Sequence, residues 1–520
     1  MKMTKYKLSE LVEVTRGASL SGQFYAEEGK LVRLTLGNFN MNGGGFKENT
    51  SKTDLYFTGT VRDEFILNEG DIITPLTEQS LGLLGTTARI PESGKYIQSQ
   101  DVALVRCKKG LLDPNFCYYL ISSSIVRQQL SAAAQQTKIR HTSPEKIKDC
   151  TVWVPDFDVQ KNIGRILTDI DNKIAINRRI NDNLEAMAKQ LYDYWFVQFD
   201  FPNEEGKPYK SSGGAMVWNE KLKREIPQGW SNGVLSDVAN ITMGQSPDGS
   251  SYNEDGEGII FYQGSTDFGL RFPDIRQYTT SPSRYANKGD ILMSVRAPVG
   301  ALNIANNDCC IGRGLSALSS KIGSMTHLYY LLNDFRLKFD GMNSAGTTFG
   351  SITKDELFSL PVIIPTKSVI SEFEQVCEPI FDKQMIIGEE INALTKQRDE
   401  LLPLLMNGQA TVNYHLSAST SISFDISVLF LNFTNGNSLY RTISLDYQRF
   451  ALPLHSKGNT HGTIQEDKRH IQQRQRQGDK HARERFLAFF YKCTSTVQQA
   501  AFGNAWCYRG YKGKDISESK

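Results

Sequence analysis

An α+β fold, with two globular lobes held apart by a long antiparallel two-helix coiled coil, is what the 520-residue sequence predicts. Three observations lead there. The chain repeats itself once. Each copy is a run of short strand-like stretches broken by glycine and proline. Each copy then ends in an apolar heptad pattern of roughly 40 residues.

The repeat is legible string by string. LSELVEVTRG, from Leu8 to Gly17, matches LSDVANITMG, from Leu235 to Gly244. Gly70-Asp71-Ile72 matches Gly289-Asp290-Ile291, and Pro155, closing CTVWVP, matches Pro365, closing LPVIIP. A second copy beginning more than 200 residues after the first is a duplicated domain, not a solenoid.

The helices follow from the spacing of apolar side chains. Ile163, Ile170, Asn177, Leu184 and Leu191 fall seven apart, as do Phe373, Ile380, Ile387, Leu394 and Leu401, and the two sets superpose at the offset that aligns the prolines. Neither seam can be buried alone, so the economical arrangement pairs them. A globular copy lies between them and the chain must return, so the pair is expected to be antiparallel, with an approximate two-fold axis across its middle. Asn177 at a seam position would fix register. Pro379 should kink or delay the second helix. The expected division is 1–155 first lobe, 156–200 first helix, 201–226 linker, 227–365 second lobe, 366–412 second helix and 413–520 a separate tail.

Composition sets outer limits. Hydrophobic residues make up 39% and charged residues 22%, enough to build cores. No apolar run approaches the roughly 20 residues of a membrane-spanning helix, and MKMTKYKLSE has no signal-peptide core; a cytoplasmic address with no membrane association is the expectation. The eight cysteines include no Cys-x-x-Cys pair, which favours free thiols over a disulfide framework or a zinc site. Residues 413–520 hold 15 Lys/Arg against 8 Asp/Glu and five of the seven histidines. That break in composition places a boundary near residue 412. The tail reads either as a basic nucleic-acid arm or as poorly folded sequence, read past the usual stop or in a shifted frame.

Catalytic signatures are largely missing. There is no Gly-x4-Gly-Lys-Ser/Thr loop, no Gly-x-Ser-x-Gly elbow, no His-Glu-x-x-His and no Pro-Pro dipeptide. One nuclease-like string, Asp156 with Asp171 and Lys173, falls on the expected first helix, with Asp171 and Lys173 on its solvated side. Polar loops recur instead: Thr15-Arg16-Gly17-Ala18-Ser19 and Thr242-Met243-Gly244-Gln245-Ser246 hold equivalent places, Gln135–His141 precedes the first helix and Ala345–Thr348 the second. Arginine and lysine bond guanine or neutralise phosphate, and glutamine and asparagine bond adenine, so equivalent polar loops on a duplicated scaffold suit a two-part target.

These strings resemble the DNA-specificity subunit of type I restriction–modification systems over about residues 5–412. The resemblance rests on GDILMSVRAPVG (289–300) with CCIGRGLSAL (309–318), on the helix and exit QKNIGRILTDIDNKIAINRRINDNLEAMAKQLYDYWFVQFDFP (160–202), on PYKSSGGAMVWNEKLKREIPQGW (208–230) and on RDELLPLLMNG (398–408). It implies two target-recognition domains, each reading one half of a bipartite sequence in double-stranded DNA, with the helix pair acting as a ruler. It implies a chain that is not an enzyme by itself and binds no cofactor or metal. Two modification subunits would bring S-adenosylmethionine, and restriction subunits would use ATP and Mg2+. By position the reading loops would lie around Arg16, Ser19, Asn38, Gln79, Gln136, Lys138 and Arg140 in the first half, and around Gln245, Ser246, Thr266, Asp267, Arg296, Arg313, Thr347 and Thr348 in the second.

Two departures from the family stand out. The second helix lacks the Gln160-x2-Ile163-x3-Leu167 entry, and the tail resembles nothing in it. Truncation after Gly408 is expected to leave assembly and specificity intact. The rival readings are a stand-alone two-headed DNA-binding regulator and a metal-dependent nuclease built on Asp156, Asp171 and Lys173.

Overall fold

The computed structural model describes residues 1–40, 44–78, 82–133, 140–344 and 350–410. The tail from 413 lies outside the described residues. Both lobes follow one plan. In the first, Thr4–Lys7 pairs antiparallel with Thr151–Val154. One sheet runs Val12–Arg16, Val102–Cys107, Ile72–Pro75, Ala88–Arg89, and a second runs Tyr25–Ala26, Tyr56–Phe57, Leu31–Arg33, Tyr96–Ile97. In the second lobe Ser231–Val234 pairs with Pro361–Ile364. Its sheets run Ala239–Met243, Leu315–Ser320, Ile291–Ser294, Leu302–Ile304, and Tyr252–Asn253, Gln277–Thr279, Ile259–Tyr262, Cys309–Ile311, the last also pairing with Tyr285–Ala286. A parallel ladder recurs as well, Val32 opposite Tyr96 and Phe261 opposite Cys310.

Period-two alternation explains why these sheets are buried. Along Val102–Cys107, Ala103 and Val105 enter one apolar cluster while Val102 and Leu104 enter another. In the second lobe Leu318 and its alternates Leu315 and Ala317 divide in the same way. Successive strand side chains point to opposite faces, so a near-continuous apolar run is what a strand with a core on each side requires.

The two long helices are Phe157–Tyr192, of 36 residues, and Lys367–Met406, of 40. They pack side by side and antiparallel. Asp171 meets Arg398 at 3.1 Å, Lys173 meets Glu390 at 3.2 Å, and Glu185 accepts from Gln384 at 2.8 Å, so partners descend along one helix as they rise along the other. Ile174, Ile387, Ile391 and Leu394 form the middle of the seam, with Ile170 and Leu184 against them. Asn177 is buried there and donates to Glu390 Oε2 at 2.9 Å, giving the apolar seam one polar register pair.

The seam is shorter than the heptads suggest. Ile163 and Leu167 leave it for the first-lobe core, where Leu405 and Met406 of the second helix join them and Leu401 packs alongside. At the other end Phe373 meets the Tyr192 ring at 6.4 Å between centroids, while Tyr192 also faces Tyr330 of the second lobe at 5.9 Å. A lobe offers more apolar surface than one facing helix, so the outer heptads are captured by the lobes. Each lobe is therefore seated on both helices, at opposite ends of the pair.

Two further expectations are corrected. Pro379 does not delay the second helix, which begins at Lys367 and is continuous through the proline. Pro379 is exposed, and buried Phe373, Cys377 and Gln384 hold the helix on its other side. Asp171 is only partly exposed and is engaged by the protein: it accepts from the Tyr119 hydroxyl at 2.6 Å and from Arg398 at 3.1 Å. The folded part runs past Gly408, because the amides of Gln409 and Ala410 bond Leu404 and Ala410 is fully buried in the first-lobe core. A chain ended after residue 412 is expected to melt like the full chain and to bind DNA with the same specificity. One ended after Gly408 should melt lower, which thermal melts would show.

The missing Gln160-type entry has a local explanation. Gln160 is buried, accepts from the Asp113 amide at 3.0 Å and donates to the Leu111 and Pro155 carbonyls at 3.3 and 2.9 Å. Its counterpart, Ile370, is buried apolar surface. The same seat is closed once by hydrogen bonds and once by packing.

Residues 194–228 form a compact unit of their own. There Asp200 accepts from the Ser211 amide and hydroxyl at 2.7 and 2.6 Å, Phe201 stacks on Tyr209 at 4.6 Å, and Met216–Asn219 pairs with Arg224–Pro227.

His327, on the second-lobe helix Met325–Ser344, is buried beside Tyr192, with 5.7 Å between ring centroids. Burial penalises its charged form and pushes its pKa down from 6.5 to about 3. The unfolded chain binds this proton below pH 6.5 and the native chain does not, so the contribution is full above that pH and is lost as pH falls towards 3. The loss should approach about 1.4 kcal/mol per pH unit. Denaturant melts from pH 7 to 4 should show a shallower slope in His327→Gln than in the parent.

Candidate nucleic-acid interface

The candidate loops converge at one end of the second lobe. Gly244 ends its strand so close to the neighbouring chain that a Cβ there would stand 2.2 Å from the Gly312 carbonyl oxygen. Only a glycine allows this approach, which brings the Gln245–Ser246 loop onto the loop that bears Arg313. The Gln245 amide donates to the Ile311 carbonyl at 3.0 Å, and the Arg313 amide donates to Ser246 Oγ at 3.3 Å. The Val295 amide donates to Gly314 at 2.9 Å, which sets Arg296 beside the same loop. Gln245, Thr266, Arg296 and Arg313 are all exposed. Neither arginine makes an ion pair among the described residues, so both present a guanidinium to solvent. Such groups suit phosphate or guanine.

The first lobe repeats the device. A Cβ on Gly17 would stand 2.2 Å from the Gln98 carbonyl oxygen, and the Ala18 amide donates to that oxygen at 2.9 Å. Arg16 and Ser19 on either side are exposed. Ser19 lines an open cavity of about 490 Å³ with Phe24, Phe57, Thr60, Arg62 and Phe65. Arg62 lies over the Phe65 ring at 4.8 Å.

Three candidates serve the fold instead. Asn38 is buried, accepts from the Thr35 amide at 2.9 Å and donates to the Lys47 carbonyl at 3.2 Å. Asp267 takes the equivalent place, accepting from the Gln263 amide at 2.7 Å and the Gly264 amide at 3.3 Å. A short polar side chain three residues into a tight turn satisfies the turn's own amides, in both copies. Arg140 pairs with buried Glu78 at 3.3 Å and donates to Ser131. Glu78 also accepts from the Leu83 and Leu84 amides at 2.9 and 3.0 Å. Gln79, Gln136, Lys138, Thr347 and Thr348 lie outside the described residues.

Arg62 and Arg276 are exposed cations that the sequence reading passed over. Arg276 stands 3.9 Å from Asp267. A spacing signal existed only for Arg62, three residues before Phe65.

The nuclease string does not assemble. Asp156 and Asp171 are separated by four turns of helix, roughly 22 Å. Asp171 is occupied by Tyr119 and Arg398, and Lys173 by Glu390. Among the described residues no group of three His, Cys, Asp or Glu could hold a metal ion. The six described cysteines are free thiols, and no helix among the described residues is long and apolar enough to cross a membrane.

Two copies of one polar-loop lobe, seated at opposite ends of an antiparallel helix pair, define a two-headed recognition protein. The chain belongs to the type I restriction modification DNA specificity family, whose model matches residues 1–186 and 227–400. It is 30% identical over 383 residues to the MjaX type I restriction enzyme specificity subunit of Methanocaldococcus jannaschii, covering 70% of this chain and 85% of that one. It is 22% identical over 381 residues to the HindI specificity subunit of Haemophilus influenzae, covering 60% and 81%. The S subunit of a type I restriction-modification system from M. genitalium shares the fold, with a TM-score of 0.52 at 17% identity over 78% of this chain and 96% of that one. The chain is thus a sequence-specific DNA recognition component of a restriction–modification complex, a specificity chain and not a catalytic one. Neither the free-standing regulator nor the nuclease is favoured.

Proposed function

We propose that each lobe reads one half of a bipartite target and that the helix pair sets the number of unread base pairs between them. The observation behind this reading is the duplicated lobe at opposite ends of an antiparallel rod. From Leu167, the last first-helix residue in the first-lobe core, to Tyr192 against the second lobe is 25 residues, or roughly 37 Å. That is about one turn of B-form DNA, so both lobes can address the same face of a duplex.

In this reading two modification subunits dock on the rod and supply S-adenosylmethionine for adenine methylation, while restriction subunits supply ATP- and Mg2+-dependent cleavage. The support for two equivalent dockings is Ile176 and Ile386. Each lies on its own helix at the same place in the repeat, and they are 53% and 43% exposed. An exposed isoleucine costs little in a free chain and gains a few kcal/mol at most when a partner covers it. Ile176→Asp is expected to remove one modification subunit, and the double variant with Ile386→Asp to remove both, as mass measurement of the assembled complex would show. Methylation mapping in a host carrying all the subunits tests the bipartite reading: two short specified blocks with a constant gap support it, and one continuous block ends it.

A further inference from the structure

The two lobes are not fastened to the rod in the same way. In the second, the loop at Arg271–Phe272 reaches across both long helices. The Arg271 guanidinium, almost fully buried, pairs with Glu185 of the first helix at 3.1 Å and donates to Gln384 of the second at 3.0 Å. Gln384 in turn donates to Glu185 at 2.8 Å, closing a three-membered cluster. The guanidinium also lies over the rings of Tyr329 and Phe381, at 5.3 and 4.9 Å. Beside it the buried Phe272 ring fills a notch at Gly388, where a Cβ would stand 2.8 Å from the ring. The loop itself is stiff. The Arg271 carbonyl accepts from Ile304 at 3.0 Å, and Asn303 brackets Gly269 with two hydrogen bonds of 3.2 Å.

The corresponding stretch of the first lobe, Asn40-Met41-Asn42-Gly43-Gly44-Gly45, has no arginine. There the guanidinium comes from the rod, as Arg398.

We propose that Arg271 is a positioning residue that locks the second lobe to both helices and so fixes the rotational phase and spacing of the second half-site relative to the first. This rests on the bipartite reading above. A buried two-point guanidinium tie resists both sliding and rotation, whereas apolar packing alone tolerates small slips. Inserting one base pair into the gap displaces a half-site by about 3.4 Å and turns it by about 35°. A rigidly locked lobe cannot follow that change; a loosened one can.

The test uses the full complex with its partner subunits. Once the target is mapped, binding is measured on duplexes keeping both half-sites while the gap runs from two base pairs shorter to two longer. The parent should lose roughly tenfold or more per base pair of misfit, on the scale of a wrong base pair. Arg271→Met should keep its preference for the bases of both half-sites and lose most of its gap discrimination. Gly388→Ala, which unseats Phe272 without touching the charge, guards against simple unfolding of the arginine variant and should broaden the gap profile in the same direction. Unchanged gap profiles at lower overall affinity in both variants would overturn the lock while leaving the bipartite reading intact. A flat profile in the parent would overturn the bipartite reading and the lock with it.

Discussion

Exchanging residues 1–155 for the matching lobe of a relative that reads different DNA is expected to change one half of the target and leave the other unaltered. Binding to the original first half should fall by about three orders of magnitude or more, the range that separates specific from non-specific DNA binding. The physical basis is the independence of the two sets of cores: the first-lobe clusters and the second-lobe clusters share no residue. The exchanged lobe must still fit the rod. A Cβ at Gly164 would stand 2.7 Å from the Phe116 amide nitrogen, and one at Gly408 would stand 2.9 Å from the Met3 side chain, so the graft has to keep close approach at both points. Methylation mapping of the hybrid complex is the measurement. Changes in both half-sites would show that the lobes are coupled and would count against separate reading.

The second large effect is on stability. Arg398→Ala is expected to cost about 2–3 kcal/mol, somewhat below the usual loss for a broken buried pair because the Asp171 side chain is 29% exposed. With the guanidinium gone, Asp171 keeps only the Tyr119 hydroxyl, and the junction between first lobe and rod is left with an undercompensated carboxylate. Denaturant melts of Arg398→Ala, Asp171→Asn and the double variant decide the point. A double variant about as stable as the worse single one identifies a coupled pair. Strict additivity would mean that the two side chains act separately.

Much of this architecture was legible from residue spacing. Heptads and a matched pair of prolines were enough to place two helices and to pair them, because a seam of isoleucine and leucine cannot remain in water. Paired strings such as LSELVEVTRG and LSDVANITMG implied two lobes of one plan, and the strand orders agree. The candidate site was only partly legible. Arg16, Ser19, Gln245, Thr266, Arg296 and Arg313 are exposed. Asn38, Asp267 and Arg140 were chosen by the same polarity and are spent on turns and on Glu78. A side chain able to bond a base edge is equally able to bond a backbone amide, and spacing does not separate these uses.

What the sequence determined by itself is therefore periodicity and repetition: two lobes, two amphipathic helices and the need to bury their stripes. Only the tertiary structure decided where the seam ends and what holds each lobe to it. Ile163 and Leu401 belong to a lobe and not to the coil, Asp171 is tied to Arg398 and Tyr119, and Arg271 spans both helices. Those choices depend on contacts between residues far apart in the chain, up to 227 positions for Asp171 and Arg398. No local pattern records which of several partners of similar chemistry will be nearest once the chain has closed.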